Sequence, residues 1–416
     1  MSYFANENIK LEQIESIWML FNFDNQAVIG LDDKGRGFWN KIKNGNVTET
    51  EIKNNQDLYD ALLEEDFIRT EPFKKEEQFH ITSAYVHLLN RCNLNCLRCY
   101  SMNDARNKET DASTEQWKLG FSRLKQAGVS SIVISGGEPL LRKDIIELVR
   151  FAKENAGIEN ITLITNGTVS FPFQELKPYV DTIAVSVDGY DEEHPSFIRD
   201  KGIFYKIINT VTHIRDLGME VVIVPTIHMK NYDAMKKYDA LAEKLQVQIS
   251  FSILTVGCNP VFYDFVLKEE ALSSIAQDIV SLNADVEDVT SAGEGLCAMK
   301  SCGMARNIIS VDSKGNVYPC HILHNDRLLL GNIFDAALSG ENLDKKVMQE
   351  CQKANVDNIQ SCKRCEYRYL CGGGCRGRAF LQNGNLLGRD IYCRLFKKFH
   401  EIELNMVLQE IENGEK

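Results

Sequence analysis

The sequence has no run of about eighteen apolar residues, so no membrane-spanning helix is expected. Its first residues, Met1-Ser-Tyr-Phe-Ala-Asn-Glu-Asn, lack the charged-then-apolar layout of a secretory signal. No long Lys/Arg run is present and the net charge is −12. A basic face is the usual footprint of phosphate binding, so nucleic-acid and anionic-lipid partners are not expected. There is no low-complexity tract and no full internal repeat. A cytoplasmic protein with no membrane association is the resulting expectation.

What remains is an ordinary globular composition. The chain has 416 residues, 44% of them hydrophobic, enough for two or three domains with cores of their own. The unusual feature is thirteen cysteines. In a cytosolic chain, spaced cysteines more often bind metal or do chemistry than pair as disulfides. Three lie between Cys92 and Cys99, and eight more fall in a spaced series between Cys297 and Cys393. Cys351 lies inside the second range, and Cys258 lies between the two.

The pattern along the chain changes twice. Residues 1–75 read as a small α+β unit: apolar stretches at 16–22 and 26–31 separated by Asp24-Asn25, then helical stretches, the clearest at 56–67. Glu71 to Glu77 reads as a linker. Residues 80–255 alternate strand and helix. Strands are expected at 84–89, 131–135, 161–165, 182–187, 221–226 and 248–254, with amphipathic stretches at 115–127, 143–155, 205–217 and 232–245. Such alternation implies an α/β parallel sheet covered by helices, and six units suggest a partial (β/α)6 barrel with functional residues at the C-terminal strand ends. Residues 256–295 read as a bridging region. From 296 to 416 the rhythm stops, and cysteine, glycine and short strand-like pieces take over.

The first cysteine group, Arg91-Cys92-Asn93-Leu94-Asn95-Cys96-Leu97-Arg98-Cys99-Tyr100, has the spacing C-x3-C-x2-C and directly follows the first expected barrel strand. Three thiolates on one short loop suit three irons of a four-iron cluster and leave the fourth iron open to a chelating substrate. A zinc knuckle is the plainer alternative. It would be one ligand short, with His87 the nearest histidine.

This segment, and the barrel strands behind it, resemble the radical S-adenosylmethionine (SAM) superfamily. The second strand is followed by Gly136-Gly137-Glu138-Pro139, similar to the family's GGEP motif, whose glycines let the backbone approach the methionyl amino group of SAM. The third ends in Thr165-Asn166-Gly167, similar to the family's turn near the ribose. The fourth carries Ser186-Val187-Asp188-Gly189, followed by His194 and Arg199. The resemblance implies that Gly136, Gly137, Glu138, Pro139, Asn166, Ser186 and Arg199 bind SAM, with Arg199 clamping its carboxylate through two parallel hydrogen bonds. A surface ion pair is the plainer role for Arg199. The family usually has an aromatic residue before the third cysteine. Here that position is Arg98, which leaves the adenine contact to its guanidinium or to Tyr100.

The second group reads Cys302, twelve residues, Gly315, four residues, Cys320, then Cys362, Cys365, Cys371 and Cys375 at C-x2-C-x5-C-x3-C, with Cys393 last. It resembles the SPASM extension, which implies two auxiliary clusters. One would use Cys302, Cys320 and Cys375 with Cys297 as fourth ligand. The other would use Cys362, Cys365, Cys371 and Cys393. The alternative is a zinc site on Cys362, Cys365, Cys371 and Cys375, which would leave Cys302, Cys320 and Cys393 unexplained. Cys258 and Cys351 fit neither set and read as spare buried thiols.

The N-terminal unit resembles the PqqD-like, winged-helix-like element that captures the leader of a precursor peptide as an added strand. A capping or dimerisation domain is the plainer alternative. Together the regions resemble peptide-modifying SPASM enzymes of the sactipeptide and ranthipeptide type. The resemblance implies three four-iron clusters, SAM, a precursor peptide, a reductant such as flavodoxin or ferredoxin, and auxiliary clusters that take up the leftover electron. A thioether is the first expected product, a carbon–carbon crosslink the second. Anaerobic sulfatase maturases have an Asp after the cysteine matching Cys320. This chain has His321, a candidate proton acceptor or structural histidine. A non-catalytic electron carrier or peptide escort would have no need of the SAM-binding set.

Overall fold

A computed structural model describes residues 4–73, 81–97, 99, 101, 106–255, 260–286, 296–339 and 341–412. Arg98, Tyr100, Cys258 and most of the expected linker lie outside these.

The centre is a nine-stranded sheet. Its order from one edge is Gln248–Ile249, Glu220–Val224, Thr182–Ser186, Asn160–Thr165, Ser131–Ser135, Ser83–His87, Ile308–Val311, Asn316–Tyr318 and Gly331–Asn332. The first seven run parallel, and the last two add antiparallel. All six strands expected from the sequence are present. The cysteine-rich region then extends the sheet beyond the first barrel strand, which sequence periodicity did not suggest.

Along the first three barrel strands alternate residues point into the outer core, as pleating requires. Ala84, Val86, Ile132, Ile134, Ile161 and Leu163 face outward into a core shared with Trp117, Phe121 and Leu124 of the helix Thr114–Gln126. Tyr85 and His87 have the opposite parity and point into the barrel. The fifth strand breaks at Pro225, which has no N–H for the ladder. Pairing resumes with Thr226–Ile227 against Ser252–Ile253.

The N-terminal unit has an antiparallel sheet in the order Ile9–Ile14, Ile17–Asn22, Val28–Leu31. Helices Asp33–Lys43, Glu49–Asn54 and Gln56–Glu64 follow. Asp32 and Thr48 cap the first two through side-chain bonds to backbone N–H groups. Leu20 and Leu31 pack on Phe38, Trp39, Ile42 and Leu62 of these helices. The three helices agree with the two or three helical stretches expected, whereas the strand Ile9–Ile14 was not expected. Among the described residues no helix is long and apolar enough to cross a membrane.

Candidate active site

The cysteine loop leaves the first barrel strand and is clasped by the ends of the next three. Gly137 N–H donates to Leu89 O at 2.8 Å, and Glu138 N–H to Arg91 O at 2.8 Å. A Cβ on Gly136 would lie 2.4 Å from Leu89 O, and one on Gly137 1.9 Å from Arg91 O. The two glycines therefore let this turn press against the cysteine loop itself, a role the motif alone did not suggest. Glu138, 1% exposed, accepts from Thr165 Oγ1 at 2.8 Å and Asn166 N–H at 2.7 Å. It ties the second strand end to the third, and Pro139 opens the buried turn behind it. Burial raises the pKa of this carboxyl, while its hydrogen bonds oppose the rise.

Asn166 donates to Asn93 Oδ1 at 2.9 Å, and Asn93 donates to Thr168 Oγ1 at 2.8 Å. From the fourth strand's loop, Ile198 O accepts from Leu97 N–H at 2.7 Å and Asp200 from Asn95 N–H at 3.1 Å. Ser186 ends the fourth strand, half-buried. His194 is held by Asp191 on the outside of that loop.

Each sulfur of the loop meets nitrogen donors. Cys92 Sγ lies 3.5 Å from Leu94 N and 3.8 Å from Asn166 Nδ2. Cys96 Sγ lies 3.7 Å from Arg199 Nη1. Cys99 Sγ lies 3.1 Å from Arg106 Nη1 and 3.2 Å from Ser101 Oγ. Burial pushes the Cys96 thiol up to about 11, Arg199 opposing. Burial also acts against the Cys99 thiolate, but Arg106 and Ser101 outweigh it and bring its pKa below the ordinary value. Donors aimed at sulfur favour the thiolate, the form that ligates metal.

Arg199 departs from expectation in one respect. Its Nε–H is paired with Asp188, whose side chain is fully buried and whose other oxygen accepts from Thr226 N–H at 2.7 Å. That edge of the guanidinium is already used, so a two-bond clamp through it on a second carboxylate is not open. The ion pair considered from sequence is thus present, but with Asp188 fully buried and Arg199 half-buried rather than both on the surface.

In the C-terminal region, Cys362, Cys365, Cys371 and Cys393 line one cavity together with Arg389 and Asp390. Burial pushes the Cys371 thiol up to about 12, and the other three cysteines add to the shift. Arg389 bonds to Cys393. The backbone beside Cys302, Cys320 and Cys375 is in contact at two points. Ala305 N–H donates to Pro319 O at 3.1 Å, and Gly377 packs on Ile322 so closely that a Cβ would lie 2.7 Å from it. Among the described residues no three His, Cys, Asp or Glu side chains converge on a single-ion site. Four thiols around the wall of a cavity suit a cluster of atoms better than one zinc ion, which needs donors at about 2.3 Å from a point. The donor sets of both regions fit iron–sulfur clusters.

His321 stacks over Tyr85 of the first barrel strand, ring centroids 4.3 Å apart. His87 lies 4.6 Å from His324, which stacks on Tyr318 at 4.6 Å and bonds Ser310 Oγ at 2.8 Å. Burial drives the His87 imidazole well below its ordinary pKa and His324 to about 4, so both are neutral at pH 7. His324 as a whole residue is exposed, while its ring is in contact with those of His87 and Tyr318. Sequence reasoning missed Arg106, His324 and the Asp188–Arg199 pair. The inward parity of Tyr85 and His87 was the one available signal.

Residues 86–242 match the Radical SAM superfamily, and residues 302–366 match SPASM, an iron–sulfur cluster-binding domain. The AdoMet-dependent heme synthase of Methanosarcina barkeri is 27% identical over 332 residues, 73% of this chain and 93% of that protein. The PqqA peptide cyclase of Rhodopseudomonas palustris is 27% identical over 346 residues, 77% of this chain and 88% of that protein. The crystal structure of Streptococcus suis SuiB shares the fold, with a TM-score of 0.58 at 16% identity over 94% of this chain and 99% of SuiB.

Proposed function

We propose that this chain, a radical SAM enzyme with a SPASM iron–sulfur region, matures a ribosomally made peptide by joining a cysteine sulfur to a carbon of another residue. The observation that carries the radical step is the set of nitrogen donors aimed at each of Cys92, Cys96 and Cys99. Bound on those thiolates, a four-iron cluster with SAM supplies a 5′-deoxyadenosyl radical that removes a hydrogen atom from carbon. Arg199, Asn166 and Ser186 hold SAM against the loop, and Glu138 with Gly136, Gly137 and Pro139 keeps that loop in place. Cys297, Cys302, Cys320 and Cys375 hold one auxiliary cluster, and Cys362, Cys365, Cys371 and Cys393 another. His321, over Tyr85 at the barrel interior, takes the thiol proton.

Residues 1–75 receive the leader, 80–255 form the barrel, 256–295 bridge, and 296–416 carry the auxiliary clusters. In the first of these, three antiparallel strands precede three helices, and the outer edge of Val28–Leu31 has no strand partner among the described residues. A leader adds there as a fourth strand. Electrons arrive from flavodoxin or ferredoxin in the cytoplasm. The relative named as a peptide cyclase supports a peptide substrate and a ring-closing bond, and a carbon–carbon crosslink is the second reading.

Thiol alkylation of precursor treated with holoenzyme, SAM and reductant decides between them. We expect a two-hydrogen loss and fewer iodoacetamide adducts after disulfide reduction. A two-hydrogen loss with every cysteine still alkylated rules out the thioether. No mass change in any precursor encoded beside the enzyme overturns the peptide substrate.

A further inference from the structure

The strand Ile17–Asn22 is apolar on both faces, and each face has a different partner. Leu20 points to the unit's own helices. Ile14, Met19 and Phe21, all 2% exposed or less, share a core with Val356, Tyr367, Tyr369 and Leu370, and Cys362 and Cys365 pack against that core. The contact falls on the five residues between Cys365 and Cys371. Tyr367 donates its hydroxyl hydrogen to Glu15 at 2.6 Å, Arg368 pairs with Glu12, and the Tyr369 ring lies 5.6 Å from Phe21 and 5.1 Å from Phe23. On the same side Ala298, next to Cys297, donates its N–H to Gln26 O at 2.8 Å.

We infer that the N-terminal sheet is the outer wall of the Cys362–Cys365–Cys371–Cys393 site, so that solvent access and potential of a cluster held there depend on Phe21, Met19 and Glu12. The spacer between two ligand cysteines is held in shape by strands from the opposite end of the chain. Loosening those strands lets the spacer move and admits water. The potential of an iron–sulfur cluster follows solvent exposure and hydrogen bonding at sulfur, so such a change is read at the metal. One step further rests on the leader-binding reading above. Val28–Leu31 belongs to the same sheet, so a peptide strand added there stiffens the wall and is registered at the cluster.

The test uses full-length reconstituted enzyme, as wild type, Phe21→Ala and Glu12→Gln. Iron release to an anaerobic chelator and a redox titration followed by electron paramagnetic resonance are both recorded. Phe21→Ala should release about one cluster's worth, ~4 irons, roughly tenfold faster and shift one auxiliary potential. Glu12→Gln, a rim change that leaves the core intact, should move both readouts the same way by less. Wild-type release and potential in both variants, with unchanged circular dichroism, overturn the wall. Precursor binding is followed separately by fluorescence anisotropy. Precursor that binds and slows release supports the coupling, and precursor that binds without effect overturns it. Precursor that fails to bind overturns the leader reading alone, and the variants still decide the wall.

Discussion

The two cysteine regions solve the same problem, keeping thiolates inside a protein, by different means. In the barrel the thiols sit on a loop pinned by backbone and side-chain contacts from three neighbouring strand ends, and cations approach the sulfurs: Arg106 at Cys99, Arg199 at Cys96. In the C-terminal region the thiols line a cavity whose walls are apolar, and burial dominates, pushing Cys371 up to about 12. Protein cations oppose the burial there as well, Arg376 at Cys362 and Lys397 at Cys365, but do not outweigh it as Arg106 and Ser101 do at Cys99. On the proposed reading the first set serves a site that must exchange SAM at each turnover, and the second a site that only stores or passes electrons.

The largest effect should come from removing either set of thiols. Replacing Cys92, Cys96 and Cys99 with Ala should cost about four of about twelve irons and abolish formation of 5′-deoxyadenosine. Replacing Cys371 should cost a similar amount of iron yet spare SAM cleavage while product formation is lost. Iron assay with chromatography of the nucleoside checks both. If the Cys371 variant also stops cleaving SAM, the division of labour between the regions is broken.

A smaller effect separates the cations. Arg106 is 8% exposed and its Nη1 lies 3.1 Å from Cys99 Sγ. Arg389, which bonds Cys393, is exposed. A charge-assisted bond at a buried sulfur is worth about 1.5–3 kcal/mol, and outer-shell partners of a metal typically matter ~10–100-fold. Arg106→Ala should therefore slow SAM cleavage about tenfold or more, and Arg389→Ala should change the auxiliary cluster by far less. Equal effects would show that burial of the cation does not distinguish the two regions.

What the sequence made legible was local. C-x3-C-x2-C and C-x2-C-x5-C are visible because cysteines proposed for one cluster can sit on one short stretch of chain. Barrel strands are visible because Ile132 and Ile134, or Ile161 and Leu163, repeat with the period of a pleat. Contacts across long stretches of chain left no such trace. Tyr85 meets His321, and Glu12 meets Arg368, with nothing in either neighbourhood to announce it. The segment Ile17-Trp-Met-Leu-Phe-Asn22 looked like a plain apolar run because both of its faces are covered, one by helices and one by the cysteine-rich region. The motif glycines were found for one reason and are needed for another, since the crowding at Gly136 and Gly137 comes from the cysteine loop's own carbonyls.

The smallest expected effect tests which thiols belong to the second region at all. Cys351 is fully buried in the apolar core beneath the helix Lys345–Lys353, and burial pushes its thiol up to about 12, with Glu350 and Cys302 adding to the rise. Its charge interaction with Cys302 makes it a rival to Cys297 for the fourth place on the cluster proposed for Cys302, Cys320 and Cys375. Its surroundings argue otherwise, since it packs among Val347, Met348 and Ala354 within one apolar core. A buried thiol with aliphatic neighbours behaves as a small hydrophobe. Cys351→Ala removes one heavy atom and leaves a void smaller than a methylene deletion in a larger side chain, so a loss of about 1 kcal/mol in stability is expected, read as a small fall in melting temperature. Iron content and the auxiliary signals should stay at wild-type values, whereas Cys297→Ala should disturb the signal of one auxiliary cluster. The reverse outcome, iron lost with Cys351→Ala and kept with Cys297→Ala, would reassign the fourth ligand and extend the enclosed region to the helix that carries Cys351.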